Sequence, residues 1–288
     1  MKKTVSLFGE AKSKNEKITM VTAYDYTSAR LVDLSGVDVI LVGDSLGNVM
    51  LGYQNVLPVT IGDMIHHGKA VVKGAHEAFV VIDMPFMSYQ ISPEQALENA
   101  GKIIKETNGN AIKLEGGKNV CPQVKAIVNA GIPVIGHLGL TPQSFNALGG
   151  YKVQGKQVQA ATNLVNDALA LQAAGVCAIV LECVPSKLAG LITQVVDVAT
   201  IGIGAGSDCD GQVLVFQDLL GLNLNHTPKF VKKYANLAQD VQDALGNYCQ
   251  DVRNQEFPSA PYEYAIKDEI IEELRMIIEK KEPDNDSN

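Results

Sequence analysis

The feature that most narrows the possible folds is a repeated unit: a short apolar run followed by a segment with helical spacing. Strand-like runs stand at 18–24, 37–42, 79–84, 111–114, 133–137, 178–181 and 200–203. Unbroken apolar runs of this length suit strands covered on both faces, as in a parallel sheet. The intervening segments carry helix punctuation. Ser92-Pro93-Glu94-Gln95 offers an N-cap, a proline at the first helical position and an acid and an amide in the first turn, and the Ala-Gly pairs at 130–131 and 174–175 read as helix ends. No shift in composition interrupts the rhythm, so a single parallel α/β domain is expected.

Seven such strands and a candidate eighth, spread over roughly 200 residues, fit an eight-stranded (β/α)8 TIM barrel better than an open sheet. The eighth lies at 212–218. Only 207–211 separate it from the seventh run, too few for a regular crossover helix, so it is either strand eight after a degenerate connection or helix seven. Strand eight is the expectation. A helix over 234–253 would then close a barrel domain spanning 1–258, leaving 259–288 as a helical extension, with a charged helix at 267–281 and a disordered tail at 282–288.

Composition excludes some classes of function. With 46% hydrophobic and 19% charged residues the 288-residue chain is an ordinary globular one, and its net charge of −8 argues against a protein that tracks a nucleic-acid backbone. The five cysteines are odd in number and form no C-x-x-C pair, so they read as reduced thiols of a cytoplasmic protein. The N-terminus lacks the apolar stretch of a signal peptide, and no run is long enough to span a membrane. A small-molecule partner is the expectation.

Chemistry enters where the strands end. Asp44 follows strand two, Asp83 ends strand three, Lys113 and Glu115 end strand four, His137 ends strand five and Glu182 ends strand six. In a barrel these ends converge on the face that carries catalytic groups. Asp44 and Ser45 could instead cap the next helix, but five successive ionisable endings point to a shared site. Carboxylates without a cysteine or histidine cluster suit Mg2+ better than zinc. The lysine would be free to meet an anionic substrate, or it makes a structural ion pair with Glu115. His137 is either a satisfied near-core histidine or a substrate hydrogen-bond donor. The stretch Ile201-Gly-Ile-Gly-Ala-Gly206 lacks G-x-G-x-x-G spacing; its glycines could cradle a phosphate or let a ligand approach the backbone.

Several stretches, in order, resemble the ketopantoate hydroxymethyltransferase family. They are Leu41-Val-Gly-Asp-Ser-Leu-Gly47, Leu57-Pro-Val-Thr60, Asp83-Met-Pro-Phe86, Lys113-Leu-Glu-Gly-Gly117, Gly136-His-Leu-Gly-Leu-Thr-Pro-Gln-Ser144, Gly149-Gly-Tyr-Lys-Val-Gln-Gly155, Leu181-Glu-Cys-Val-Pro185 and the glycine stretch at 201–206. The resemblance implies a barrel of the phosphoenolpyruvate/pyruvate type. It also implies one Mg2+ per subunit and one-carbon transfer from 5,10-methylenetetrahydrofolate to 3-methyl-2-oxobutanoate in pantothenate synthesis, with subunits assembled as a homodecamer. By the same resemblance Asp44 and Asp83 hold Mg2+, Glu115 contacts it directly or through water, and Glu182 is the proton acceptor. Ser45 and Lys113 bind the keto acid, the two aspartates hold it through the metal, and His137 lies beside it. A Mg2+-dependent carbon–carbon lyase or phosphonomutase on the same kind of barrel is the alternative.

Overall fold

Eight parallel strands close into a barrel in the computed structural model, which describes residues 2–150, 152–224 and 227–280. They are β1 (Ile18–Thr22), β2 (Val39–Val42), β3 (Phe79–Asp83), β4 (Ala111–Glu115), β5 (Val134–Gly139), β6 (Ala178–Glu182), β7 (Ala199–Ile203) and β8 (Gly211–Leu214). Each strand pairs with the next in sequence, and β8 closes on β1 with Ile18 beside Gly211. The seven runs read from the sequence coincide with β1 to β7. The expected eighth strand is shorter than 212–218: it ends at Leu214, and the helix Phe216–Leu219 follows. No helix lies between β7 and β8.

Strand pleating divides the core in two. Residues of one parity, including Met20, Leu41, Phe79, Val81, Ala111, Ile135, Val180, Ile201 and Val213, pack inside the barrel, where Phe8 and Ala11 of the helix Ser6–Lys14 join them. The other parity, including Ile40, Val80, Ile82, Ile112, Leu114, Ile179 and Leu181, packs outward against the helices. Continuing the inward parity gives Asp83 after Val81, Lys113 and Glu115 after Ala111, His137 after Ile135, and Glu182 after Val180. The interior therefore changes from apolar to ionisable along the barrel axis.

The helices carry the punctuation read from the sequence. Ser92 caps the helix Pro93–Thr107 by accepting from Gln95 N, Gly131 follows the helix Cys121–Asn129 at φ +86°, and Gly175 caps Val158–Ala174 at φ +98°. The chain divides into two compact units, Met1–Asn236 and Leu237–Asn288. The division falls before the helix Leu237–Arg253, which the sequence had assigned to a barrel domain reaching 258. Within the second unit Phe257 packs its ring on Tyr248 and Tyr262, and the helix Asp268–Glu279 occupies the expected charged segment. The tail expected at 282–288 lies outside the described residues.

Asp33, buried in the helix Tyr26–Leu34, accepts from the backbone N–H of Glu77 and Ala78 at 2.9 and 2.8 Å, which ties that helix to the start of β3. Burial pushes its carboxyl up, but the N–H groups of Ala78 and Glu77 and the Arg30 guanidinium prevail and hold it below the usual carboxylate range. Asp33→Ala is expected to cost about 3 kcal/mol near neutral pH, on the scale of hydrogen bonds to a charged acceptor. A folded pKa below the unfolded one stabilises above the unfolded value and loses that contribution as pH falls through the folded value. The gap between wild type and variant should therefore close below about pH 4. Urea denaturation across this range measures it, and equal midpoints at pH 7 would count against the tie.

Candidate active site

Strand register brings the ionisable groups together. Asp83 and Lys113 are paired positions on β3 and β4, and Lys113 Nζ lies 2.8 Å from Asp83 Oδ1. Glu115 and His137 are paired on β4 and β5, and Glu115 Oε1 lies 3.3 Å from His137 Nδ1. Across the next strand, His137 Nε2 lies 3.3 Å from Glu182 Oε2. These groups, with Asp44 and Ser45, line one cavity of about 420 Å³ at the carboxyl ends of the strands. All of the sequence-predicted site residues meet there.

The two aspartates are held in the same way. Asp83 Oδ2 accepts the backbone N–H of Asp44 at 3.1 Å, while Asp44 Oδ2 accepts Gln143 Nε2 at 2.9 Å. Among the described residues, no hydrogen bond reaches the other Asp44 oxygen, Oδ1, whereas Asp83 Oδ1 faces the Lys113 ammonium at 2.8 Å. Asp44 thus keeps one oxygen unengaged, and the second oxygen of Asp83 is shared with the lysine. The capping alternative fails for both residues of the pair. Ser45 precedes the helix Leu46–Val49 but makes no side-chain cap; its Oγ lies 2.8 Å from the Tyr24 hydroxyl.

Lys113 pairs with Asp83, not with Glu115 as one reading of the sequence had it, because the neighbouring strand brings Asp83 alongside. Both oxygens of Glu115 are engaged, Oε1 facing His137 and Oε2 accepting Gln143 N at 3.0 Å.

Burial sets the electrostatics. Asp44 is pushed well above the usual carboxylate range by burial first, and then by the charges of Asp83 and Glu115. Burial also raises Asp83 despite Lys113. For Lys113, burial favours the neutral amine, yet Asp83, Glu115 and Asp44 together keep it charged. Burial and Lys113 likewise oppose protonation of His137, and Glu115 and Glu182 outweigh them, raising the imidazole from 6.5 to about 9. The 3.4 Å approach of Lys113 Nζ to His137 Nδ1 is a hydrogen bond only when that nitrogen lacks its proton; the imidazolium instead directs it to Glu115.

The connected cluster thus sets Asp44, Asp83, Glu115 and Glu182 against Lys113 and His137. The excess of negative charge matches one divalent cation, and carboxylate oxygens are the hard donors that Mg2+ takes. No three His, Cys, Asp or Glu side chains form a ready-made ligand group among the described residues. Mg2+ fits the unengaged oxygen of Asp44 together with Asp83 Oδ1, which it would share with Lys113.

Sequence reading missed Tyr24, Tyr89 and Gln143. Tyr24 stands two residues beyond β1, as Asp44 does beyond β2, so the strand-end rule that found the acids would have found it too. Tyr89 is fully buried, donates to Gln143 Oε1 at 2.7 Å and receives Glu115 N at 3.1 Å. Gln143 lies inside a motif quoted above. The 201–206 glycines serve packing: a Cβ on Gly204 would stand 2.8 Å from the Phe230 ring, and one on Gly206 would strike Ser186. Gly204 and Gly206 also border a second cavity, beside Lys17, Ser207 and Lys229.

Residues 2–260 match the family model described as ketopantoate hydroxymethyltransferase. The chain is 53% identical over 274 residues to the 3-methyl-2-oxobutanoate hydroxymethyltransferase of Enterococcus faecalis, covering 95% of this chain and all of that one. It is 55% identical over 271 residues to the enzyme of that name from Syntrophomonas wolfei, covering 94% and 98%. Among solved structures, a phosphonopyruvate hydrolase in complex with oxalate and Mg2+ aligns with a TM-score of 0.59 at 12% identity, covering 98% of this chain and 99% of that one. That likeness shows the shared barrel fold.

His137 gives the site a pH signature. Its folded pKa lies above the unfolded one, so the bridge between Glu115 and Glu182 stabilises fully below about pH 6.5 and fades as pH rises toward 9. The stability difference between wild type and His137→Gln, measured by denaturant titration in chelator, should shrink across that window by on the order of 3 kcal/mol at most. A difference independent of pH would sink the bridging imidazolium.

Proposed function

We propose, since this chain belongs to the ketopantoate hydroxymethyltransferase family, that it transfers a hydroxymethyl group from 5,10-methylenetetrahydrofolate to 3-methyl-2-oxobutanoate, giving 2-dehydropantoate and tetrahydrofolate. The observation that carries the chemical reading is the division of the cavity floor: Asp44 with one unengaged oxygen beside Asp83 and its lysine, and Glu182 apart from them across His137. The lyase or phosphonomutase alternative is set aside. Relatives over half identical along nearly the whole chain bear the transferase name, whereas the likeness to the phosphonopyruvate hydrolase extends to the fold only.

The reaction must take a proton from C3 of a 2-oxo acid that already carries a carboxylate. Bound Mg2+, held by Asp44 and Asp83, would supply positive charge where the enolate oxygen forms. Lys113, kept charged by its acidic neighbours, holds the anionic end of the keto acid, and Ser45, steadied by Tyr24, offers a hydroxyl to it. Glu182 takes the C3 proton. It is less buried than the aspartates and has the His137 ring on one side, so it can be orientated without being tied to the cation. The enolate carbon then bonds to the folate methylene carbon as that carbon's bond to one of its two folate nitrogens breaks, and that nitrogen receives the proton Glu182 has taken. Water then adds hydroxide to the same carbon as its bond to the second nitrogen breaks, and the remaining proton of the water passes to that nitrogen. Family membership also supports a homodecamer and a cytoplasmic location; no helix among the described residues is long and apolar enough to cross a membrane.

Two measurements test the reading. Asp44→Ala and Asp83→Ala should each weaken Mn2+ binding at least 10-fold, the scale of one lost ionic contact, while the barrel still folds; unchanged affinity in both would remove them as ligands. With Mg2+ and the keto acid but no folate, wild type should exchange the C3 hydrogen in deuterated water, and adding methylenetetrahydrofolate should yield 2-dehydropantoate. Glu182→Gln should retain keto-acid binding and lose both reactions, because an amide cannot accept that proton. Exchange at the wild-type rate in this variant would exclude Glu182 as the base.

A further inference from the structure

Gln143 stands in the short turn Pro142–Ser144 that follows β5, yet its bonds reach the ends of three other strands. It is 5% exposed. Its backbone N–H is given to Glu115 Oε2 at 3.0 Å, at the end of β4. Its side-chain nitrogen lies 2.9 Å from Asp44 Oδ2, beyond β2, and 2.9 Å from the carbonyl oxygen of Met84, beyond β3. Its side-chain oxygen receives the Tyr89 hydroxyl at 2.7 Å and Gln90 Nε2 at 3.2 Å.

The direction of the amide follows from these partners. A carbonyl can only accept, so the nitrogen end must face Met84, and the oxygen end then faces the two donors from 89 and 90. With one N–H committed to Met84, the other goes to Asp44. The orientation of the Asp44 carboxylate is therefore set by an amide that is itself held at both ends.

We infer that Gln143 is the positioning residue of the cation site. It occupies Asp44 Oδ2 so that Oδ1 alone is presented to the cavity, and through its backbone it holds Glu115 back from direct ligation. This rests on the proposal that Asp44 and Asp83 take a divalent cation. Gln143 touches neither substrate nor ion; it acts by removing the wrong orientations of the groups that do. Partners of this kind behind metal ligands commonly tune affinity by 10- to 100-fold.

The test is Mn2+ affinity, read by the paramagnetic signal of free Mn2+, together with melting temperature in chelator. Gln143→Met keeps the length and bulk of the side chain and the backbone N–H to Glu115, but it removes the bonds to Asp44, Met84 and Tyr89. Gln143→Glu keeps the oxygen end and turns the donor facing Asp44 into an acceptor. Both should weaken Mn2+ binding by 10-fold or more, with Gln143→Glu the weaker binder. At saturating Mn2+ the C3 exchange should recover toward the wild-type rate, since the ion, once bound, again orientates Asp44.

A residue that only braces the turn would behave otherwise: melting would fall while the folded variants bound Mn2+ within twofold of wild type, and that result overturns the proposal. Should Gln143→Met fail to fold, Tyr89→Phe leaves Gln143 in place and removes the shorter of the two bonds that hold the oxygen end of its amide. A severalfold loss of Mn2+ affinity is then expected, and none would again overturn the proposal. Wild type that binds no Mn2+ would overturn the cation reading, and this inference with it; wild type that binds while the variants match it overturns the inference alone.

Discussion

Closure of the barrel fixes strand register, and register is the constraint from which the site follows. In a closed parallel sheet no strand can slip by one residue without exchanging its inward and outward faces, so parity is held by every neighbour at once. Once Val81, Ala111, Ile135 and Val180 are committed to the barrel interior, Asp83, Lys113, His137 and Glu182, each two residues further on, are committed to the same interior. The apolar lower layers thus force charged groups into contact that would otherwise remain solvated. Lys113 meets Asp83 and His137 meets Glu115 because those are the register partners, not because long side chains search for one another.

Forcing acids together has a cost that the protein's own cations offset only in part. Lys113 and His137 cannot balance the surrounding carboxylates, and Asp44, the most encumbered, shows the imbalance as a carboxyl raised well above its ordinary range. Buried charge left unpaired is expensive, and a fold retains it only where something else completes it. A proton can do so, and so can a cation held between Asp44 and Asp83. The polar contacts around these groups serve orientation: one oxygen of Asp44 and both oxygens of Asp83 and of Glu115 face protein partners.

Legibility in the sequence tracks how local the signal is. Parity and strand ends are local, and they located the acids, the lysine and the histidine of the connected cluster and seven of the strands without reference to distant contacts. The eighth strand was harder to delimit because its connection lacks a helix, so neither length nor punctuation marked where pairing stopped at Leu214. Gln143 was invisible for a different reason. It lies on a turn, where no periodicity assigns a face, and its importance comes from partners 28, 54, 59 and 99 residues away in the chain. The 201–206 glycines show another limit of local signals: Gly204 and Gly206 pack tightly against the ring of Phe230 and against Ser186, and they also border a cavity. Composition alone cannot say whether a glycine makes room for a ligand or for the protein itself.

In the proposed reaction, the depth of each acid separates its role. Asp83 and Glu115 have side chains only 3% exposed, whereas that of Glu182 is 16% exposed, with the His137 ring between it and Glu115. A ligand gains from burial, since a low dielectric strengthens its attraction to a cation and keeps competing water away. A base needs the reverse compromise. It must reach the substrate carbon, give its proton up again before the next turnover, and keep a pKa that permits both, which demands access to the cavity and distance from the cation. Placing the imidazolium of His137 between Glu115 and Glu182 meets both needs, since it satisfies the deeper acid and orientates the shallower one. Strand order alone produces this arrangement: β4, β5 and β6 are adjacent in the barrel, so acid, imidazole and acid must lie in that sequence around its rim.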